Sequence, residues 1–552
     1  MKIKSITIKG IKSYHETSFN SENYNILIGE NNTGKSNILF AIRWFFNEVK
    51  LSEKDVNQQY SGNPSIRIDF SFEEGDQIPE QIAEYVENNT LELEAFADRN
   101  FSEKKEQTPR YRVQDTGISN PKVKTLLEKI DLIYVPSVRK VDEEFKFTAN
   151  STINRLLTKY VIESLETNAE FERLYVNVSD SIKELSELIE STGFSDLKSS
   201  LESYMLDYGN IGINFRLNPP EVDDLIKKSF EAFTENGQNG ELPIESQGMG
   251  FQRSLIFSLL CNVAELSTSS EKLTLYLIEE PELFLHPNQQ KHFRNKLISL
   301  SQNDQVFVTS HSPYFVSNIR NYSQIKKISI KNGISSLCEI THENLSEICR
   351  KNGELMVKAY TDYNSLTIQQ ISDETAKIAN EDELRYLLWI DPQRSNAFLS
   401  KKVLLVEGPT EKALFSFMFE NELGEFYTSH TTSDIMVVDV IGKFHFYKFA
   451  NLLNKLGIKT WILYDGDNDK ERPPISHKKL NEYIEDMKNE GTIVDCLRAD
   501  RDIESFLELE KDGRKPDISL YSHLVNNSNN CRDCVNYEKV VSFVEDIISI
   551  NH

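Results

Sequence analysis

Short apolar runs that stop abruptly at glycines or carboxylates recur along this chain, separated by stretches with helical spacing. That alternation predicts an α/β protein whose strands are buried on both faces of parallel sheets. Ile26 to Ile28 form one such strand, followed by a small-residue loop and an apolar-periodic helix. "LTLYLIEEPELFLHP" (273–287) and "QVFVTSHSPYF" (305–315) are two more strands that end in polar residues. In "VLLVEGPTEKALF" (403–415), Val403 to Val406 make the strand, Glu407 falls at its tip and Gly408 allows a sharp turn. Thr410 is placed to cap the helix that begins near Glu411. "WILYDGDNDK" (461–470) repeats the plan, with Trp461 to Tyr464 as the strand and Asp465, Gly466 and Asp467 as the turn. The opening "MKIKSITIKGIKSYH" interleaves Lys with Ile and reads as a strand, not a signal peptide. Residues 150–235 carry Leu, Ile, Glu, Lys and Ser at helical spacing, too interrupted for a long coiled coil, and 350–400 are polar and helical.

Composition narrows the class. The 552 residues suffice for two to four domains, and no span approaches the roughly 20 apolar residues of a membrane helix. Six scattered cysteines give no disulfide framework and suit a reducing cytoplasm; Cys531 and Cys534 are a lone pair without other ligands at zinc spacing. A net charge of −24 excludes a protein that coats nucleic acid through an overall basic surface. Local basic charge remains: Lys443, Lys448, Arg498, Arg501, Lys511, Arg514 and Lys515 lie around the acidic motifs in sequence.

Two kinds of chemistry are written on the strand ends. Gly29, Asn31, Asn32, Gly34, Lys35 and Ser36 lie in GENNTGKS, between a strand and a helix, the setting of a P-loop. Its backbone N–H groups wrap phosphates, Lys35 offers a point charge and the Ser36 hydroxyl ligates Mg²⁺, so ATP or GTP is the expected ligand. Glu279 sits where a Walker B acid orients the Mg²⁺ shell, Glu280 where a carboxylate polarises an attacking water, and His311 where an imidazole senses the γ-phosphate. Ser246, Gly248, Gly250 and Gln252 precede an apolar helix, and small residues ahead of a helix N-terminus make an anion site. Nearer the C-terminus, carboxylates clustered at the ends of neighbouring parallel strands repel one another unless divalent cations neutralise them. Glu407, Glu411, Asp465 and Asp467 are the expected members, with Asp469 a neighbour on the same loop.

Glu407-Gly-x-x-Glu411 followed by Asp465-x-Asp467 resembles the Toprim module of topoisomerases, primases and certain nucleases. The P-loop, the signature-like loop at 246–252, Glu-Glu-Pro-Glu and Ser-His-Ser-Pro resemble the ABC ATPase heads of the RecF and SMC group, although the loop departs from Leu-Ser-Gly-Gly-Gln. Both modules in one chain resemble the OLD (overcoming lysogenization defect) family of nucleases, supported by "IYVPSVR" (133–139) and "SNAFLSKKVLLVEGPTE" (395–411). The resemblance implies an ABC head over 1–150 and 236–345, a helical insertion over 151–235 that packs two subunits together or folds as a lid on its own head, a helical connection over 346–398 and a Rossmann-like Toprim domain over 399–552. It implies a cytoplasmic, ATP-regulated DNA endonuclease of anti-phage defence, a homodimer or higher oligomer with ATP buried between heads. Two Mg²⁺ or Mn²⁺ ions are expected at the Toprim acids and one with the nucleotide. Glu407 takes the role of ligand or base, Asp502 and Glu504 that of a late acidic element, and Lys515 that of a transition-state lysine. Relatives work alone, with a helicase, beside a reverse transcriptase that makes small DNA, or with another defence protein, and the sequence leaves that choice open. The alternatives are a RecF-type DNA clamp with a non-catalytic Toprim domain, and a topoisomerase or primase; fewer than about a hundred residues follow Asp465, too few for a strand-passage domain.

Overall fold

The computed structural model describes residues 1–101, 105–114, 116–137, 165, 168–192, 233–236, 240–252, 254–256, 258, 272–317, 322–389, 391–420, 435–467, 475–507 and 536–550. They divide into two compact units, one comprising Met1–Leu132, Glu271–Glu282 and Pro287–His552, the other Ile133–Ser270 and Leu283–His286.

Among the described residues, the first unit holds three larger sheets and a short two-stranded pairing of Leu51–Ser52 with Glu106–Gln107. An antiparallel sheet runs in the order Tyr14–Asn20, Lys2–Ile11, Ser65–Ser71, Thr90–Phe96, Arg110–Val113, Thr116–Ile118. The Lys/Ile alternation at the N-terminus is its second strand: Ile3, Ile6, Ile8 and Ile11 are buried. A second sheet has the order Ile130–Val135, Leu273–Glu279, Gln305–Ser310, Tyr24–Ile28, Ile325–Lys331, Ile334–Glu339. Strands Leu273–Glu279, Gln305–Ser310, Tyr24–Ile28 and Ile325–Lys331 pair in parallel, which brings their carboxyl ends to one edge. Helix Lys35–Phe45 contacts strands of both sheets and buries Ile38, Leu39, Ile42, Trp44 and Phe45. This is the α/β head the apolar runs predict.

The third sheet is all parallel, in the order Ile435–Asp439, Lys402–Val406, Lys459–Asp465, Asp495–Ala499. Leu404, Val406, Trp461 and Leu463 face one core with Leu414, Phe415 and Met418 of helix Pro409–Glu420 and Val540, Val544 and Ile547 of helix Tyr537–Ser549. Helices Phe446–Lys455 and His477–Asn489 pack against strands Lys459–Asp465 and Asp495–Ala499 respectively. The chain leaves Lys402–Val406 for one neighbour and returns to the other, so the crevice between Lys402–Val406 and Lys459–Asp465 is a topological switch point, where open α/β sheets bind ligands. Thr410 is not the cap: the helix opens with Pro409 as its first residue, whose fixed φ suits that position.

Head and third sheet meet within this unit. The buried Lys327 ammonium donates to the carbonyls of Phe398 (2.9 Å) and Ser400 (2.6 Å), just ahead of strand Lys402–Val406. Lys401 pairs at 2.7 Å with Glu30, inside the GENNTGKS loop.

In the second unit, helix Ala169–Thr192 exposes Leu174, Val176, Val178, Leu185 and Leu188, and strands Phe233–Asn236 and Gly240–Pro243 form an antiparallel hairpin. The rest of the expected insertion, and Arg139 of "IYVPSVR", lie outside the described residues.

Trp461 is fully buried and its indole N–H donates to Asp546 of the last helix at 3.2 Å. Trp461→Ala is expected to cost about 3–5 kcal/mol through the cavity it leaves, and Trp461→Phe about 1 kcal/mol through the lost hydrogen bond. Urea denaturation followed by circular dichroism checks both, and equal losses would contradict this packing.

Candidate functional site

Three carboxylates converge at the switch point. Oxygens of Glu407, Asp465 and Asp467 lie within 4.8 Å of one another. Glu407 stands one residue past strand Lys402–Val406, Asp465 ends its parallel neighbour, and the Asp465 N–H donates to Glu407 Oε1 at 2.9 Å. The turn behind them is tight. A Cβ on Gly466 would lie 2.4 Å from the Asp500 carbonyl oxygen, so only glycine fits there, and Asp467 follows at φ +47°. Asn481 donates to the Gly466 carbonyl at 2.7 Å, and His477 Nδ1 lies 3.8 Å from Asp467 Oδ2.

Burial and mutual repulsion dominate the electrostatics. Burial pushes the Glu407 carboxyl up to about 7, partly opposed by the Lys443 ammonium and the Asp465 N–H. Burial pushes Asp465 up to about 9, and Glu407, Glu411, Asp467 and Asp502 add to it. Carboxylate oxygens converging within 4.8 Å, whose negative charges raise one another's pKa, are a fitting donor set for a hard divalent cation that displaces their protons.

Glu411 and Asp502 stand near enough to raise Asp465, yet each carboxylate also holds a helix start. Glu411 accepts the Gly408 N–H at 3.0 Å, and Asp502 accepts the Ser505 N–H at 2.9 Å as the cap of helix Ile503–Phe506. Glu504 lies on that helix, and its side chain falls outside the described residues, as do Asp469, Lys511, Arg514 and Lys515.

The head assembles a second site at its own strand ends. Gly29 and Gly34 take φ +152° and +105°, and a Cβ on either would press to 2.2 Å on the Ile328 carbonyl oxygen or 2.5 Å on Ser335 Oγ. Asn32 takes φ +63°, and helix Lys35–Phe45 begins at the loop's end, so its N-terminus faces the loop. Lys35 Nζ donates to the carbonyls of Gly29 (3.0 Å) and Glu30 (2.6 Å), and burial lowers its pKa to about 8 against the pull of Glu280, Glu282 and Glu30. Asn31, Asn32 and Ser36 are exposed. Strand Leu273–Glu279 is buried throughout and ends in Glu279; Glu280 turns at φ +42° with its N–H on the Thr309 carbonyl. His311 Nε2 lies 3.8 Å from Glu280 Oε1, and burial with nearby Lys35 lowers its pKa to about 4, keeping the imidazole neutral. P-loop, Glu280 and His311 are thus brought together.

In the second unit Gln252 is buried and donates to the carbonyls of Ile244 (3.0 Å) and Gln247 (2.7 Å), while Ser246 Oγ donates to the Pro243 carbonyl. A Cβ on Gly250 would meet the Phe284 carbonyl oxygen at 2.7 Å, whereas Gly248 has open space.

Sequence reasoning missed two residues that organise these sites. Glu282 accepts the His311 N–H (2.5 Å) and the Ser310 hydroxyl (3.0 Å), and burial raises its pKa. Its place in Glu-Glu-Pro-Glu was the available signal. Lys443, noted only as local basic charge, reaches into the acid cluster; the Gly442 before it, after a buried strand, was the available signal.

Fold and sites together define a nucleotide-binding ATPase head joined to a Toprim domain. The family profile "AAA ATPase domain" matches residues 1–316, and "Overcoming lysogenization defect protein-like, TOPRIM domain" matches 398–467. The chain belongs to the OLD nuclease family, with an AAA ATPase domain followed by an OLD-like Toprim domain. It is 26% identical over 498 residues to the Old nuclease of Escherichia phage P2, covering 85% of this chain and 77% of that one. It is 22% identical over 490 residues to Endonuclease GajA of Bacillus cereus (strain VD045), covering 85% and 75%. Among solved structures, an SMC head bound to the C-winged helix domain of ScpA aligns with 63% of this chain and 100% of its own at 14% identity and a TM-score of 0.39. Among the described residues, no helix is long and apolar enough to cross a membrane.

The acid cluster sets a pH dependence. Unfolded carboxyls of this kind release their protons near 4.5 and 3.8, whereas the folded chain holds them to about 7 at Glu407 and about 9 at Asp465. Across that window the native state binds more protons, so the cation-free fold loses stability as pH rises. A bound cation displaces those protons, so its stabilisation grows with pH. The rise in Tm on adding Mn²⁺ is expected to increase from about pH 6 to pH 9; thermal melts against EDTA controls check it, and a constant rise would refute this assignment.

Proposed function

We propose that this chain is a divalent-cation-dependent DNA endonuclease gated by ATP and acting in anti-phage defence. The observation that carries the nuclease reading is the convergence of Glu407, Asp465 and Asp467 at the tips of adjacent parallel strands. Bound there, Mg²⁺ or Mn²⁺ would supply Lewis-acid polarisation of a scissile phosphate and a lowered pKa for attacking water. Asp465 and Asp467 hold the cation donors on one short turn, and Glu411 and Asp502 add negative charge close by. Glu407 joins that ligand set or, with its carboxyl raised to about 7, takes the proton from the attacking water. Lys515, as the late lysine of the family pattern, is assigned to the phosphate charge in the transition state. The names of the relatives from phage P2 and B. cereus support the same reading.

In the head, the P-loop would hold ATP, and Ser36 and Glu279 would hold its Mg²⁺. Glu280 orients water beside the neutral His311, whose separation of 3.8 Å suits a sensing pair. Ser246, Gly248, Gly250 and Gln252 are assigned to the nucleotide of a second copy, which makes the working form a homodimer or larger. Two ions at the Toprim acids complete the proposal, and a helicase, a reverse transcriptase with its small DNA, or another defence subunit is the class of partner.

Plasmid cleavage across Mg²⁺, Mn²⁺ and ATP tests it. Nicked and linear products are expected from the native chain. Glu407→Gln should lower cutting at least on the order of a hundredfold, whereas Lys35→Ala should abolish ATP binding and ATP's effect on cutting. Relaxed closed circles, or full cutting by Glu407→Gln, would defeat the nuclease assignment.

The Glu30–Lys401 pair joins the P-loop to the start of the strand that carries Glu407, with 2.7 Å between charges. Lys401→Glu is expected to leave cation-dependent cutting and ATP binding in place while flattening the response of cutting to ATP, and Glu30→Lys in the same chain should restore it. A native ATP response in Lys401→Glu would remove this contact from the coupling.

A further inference from the structure

The loop after strand Ile435–Asp439 delivers a single ammonium to the acid cluster. Ile441 takes φ +54° with its side chain 57% exposed, a conformation that β-branched residues avoid and that no packing rewards. Gly442 follows at φ +104°, and its N–H donates to the Glu407 carbonyl at 2.9 Å. The strained turn carries Lys443 inward until its side chain is 1% exposed. Nζ donates to the Asp465 carbonyl and stands 3.8 Å from Glu407 Oε1 and 3.5 Å from Asp467 Oδ2. One cation thus touches the backbone of one cluster acid and the carboxylates of the other two. A buried ammonium is costly unless paired, and clustered carboxylates repel unless neutralised, so each stabilises the other.

We propose that Lys443 is the internal counter-ion of the cation site: it holds the three acids together in the cation-free chain and, by its own charge, weakens the hold on an incoming divalent cation. The proposal rests on reading the cluster as a cation site. A positive charge fixed within 4 Å of two donors repels any ion those donors share. The benefit is a site already gathered before the ion arrives, with an affinity that leaves the ion exchangeable. Lys443 is therefore a positioning residue, acting through the acids.

The test uses the full-length, nucleotide-free chain, Mn²⁺ titration followed by electron paramagnetic resonance, and thermal melts in EDTA. Lys443→Met should melt below the native chain in EDTA, bind Mn²⁺ on the order of tenfold more tightly, and gain a larger rise in Tm from it. Lys443→Arg should stay close to native on all three. Removing an acid together with the lysine, in Lys443→Met with Glu407→Gln, should recover most of the EDTA Tm, which separates charge balance from lost packing. Unchanged or weaker Mn²⁺ binding by Lys443→Met, or an unchanged EDTA Tm, overturns the proposal. If the native chain itself binds no Mn²⁺ at these acids, the cation-site reading fails instead, and the EDTA melts still decide whether Lys443 balances the cluster.

Discussion

Like charges do not gather on their own, and the C-terminal domain is organised around making them do so. Glu407 and Asp465 are neighbours because parallel pairing of Lys402 with Lys459 through Leu405 with Ile462 brings the residue just past one strand to within about one residue of the end of the other. The energy comes from the sheet's apolar faces: Leu404, Val406, Trp461 and Leu463 on one side, Leu405 and Ile462 on the other, all essentially removed from water. The fold thus holds a cluster whose own electrostatics oppose folding, and the opposition appears as raised carboxyl pKa values, about 7 at Glu407 and about 9 at Asp465. Functional sites commonly store strain in this way, with the scaffold over-determining an arrangement that is locally unfavourable.

The head uses the same device with the charges inverted. A buried strand ends, a glycine-bearing turn follows, and a helix N-terminus faces the turn; Lys35 supplies the buried cation where the Toprim domain has buried acids. Its lowered pKa reflects an ammonium removed from water beside Glu280, Glu282 and Glu30. Polyphosphate is the ligand that relieves this arrangement, as a divalent cation relieves the other, so each site is complementary to part of a metal–nucleotide or metal–phosphodiester assembly.

Strand tips were the most legible part of the sequence. Glu407, Asp465, Asp467, Lys35, Glu279 and His311 each follow an apolar run, and an apolar run buried on both faces fixes both the strand and the level at which its end emerges. What spacing could not decide was the partner of an acid just inside a helix. Glu411 and Asp502 accept backbone N–H groups while remaining close to Asp465, so helix capping and cation binding draw on the same residue types at the same positions. Lys443 was only half legible: Gly442 marked a turn, but the direction of the lysine is set by positive φ at Ile441 as well, and a β-branched residue in that region is a conformation no propensity argument predicts. Thr410 misled because a good capping residue gave way to Pro409, whose ring already fixes the first helical φ.

Charge economy links these sites to the substrate. Lys35, Lys326, Lys327, Lys402, Lys443 and Lys448 are all buried, in a chain whose formal net charge is already −24. Lys327 and Lys402 spend their ammonium groups on backbone carbonyls, Lys402 at the carboxyl end of helix Tyr537–Ser549, where the helix dipole favours a cation. These buried ammonium groups hold the scaffold and its acid cluster, while the excess of 86 acidic over 62 basic residues leaves the chain as a whole without a long-range pull on DNA. On the endonuclease reading, Glu407, Asp465 and Asp467 would hold the divalent cations that supply positive charge to a polyanionic substrate at the point of cutting. Binding and chemistry would then be concentrated on the same ions, and the acidity that makes the cluster a fitting cation site would also oppose non-specific retention of DNA.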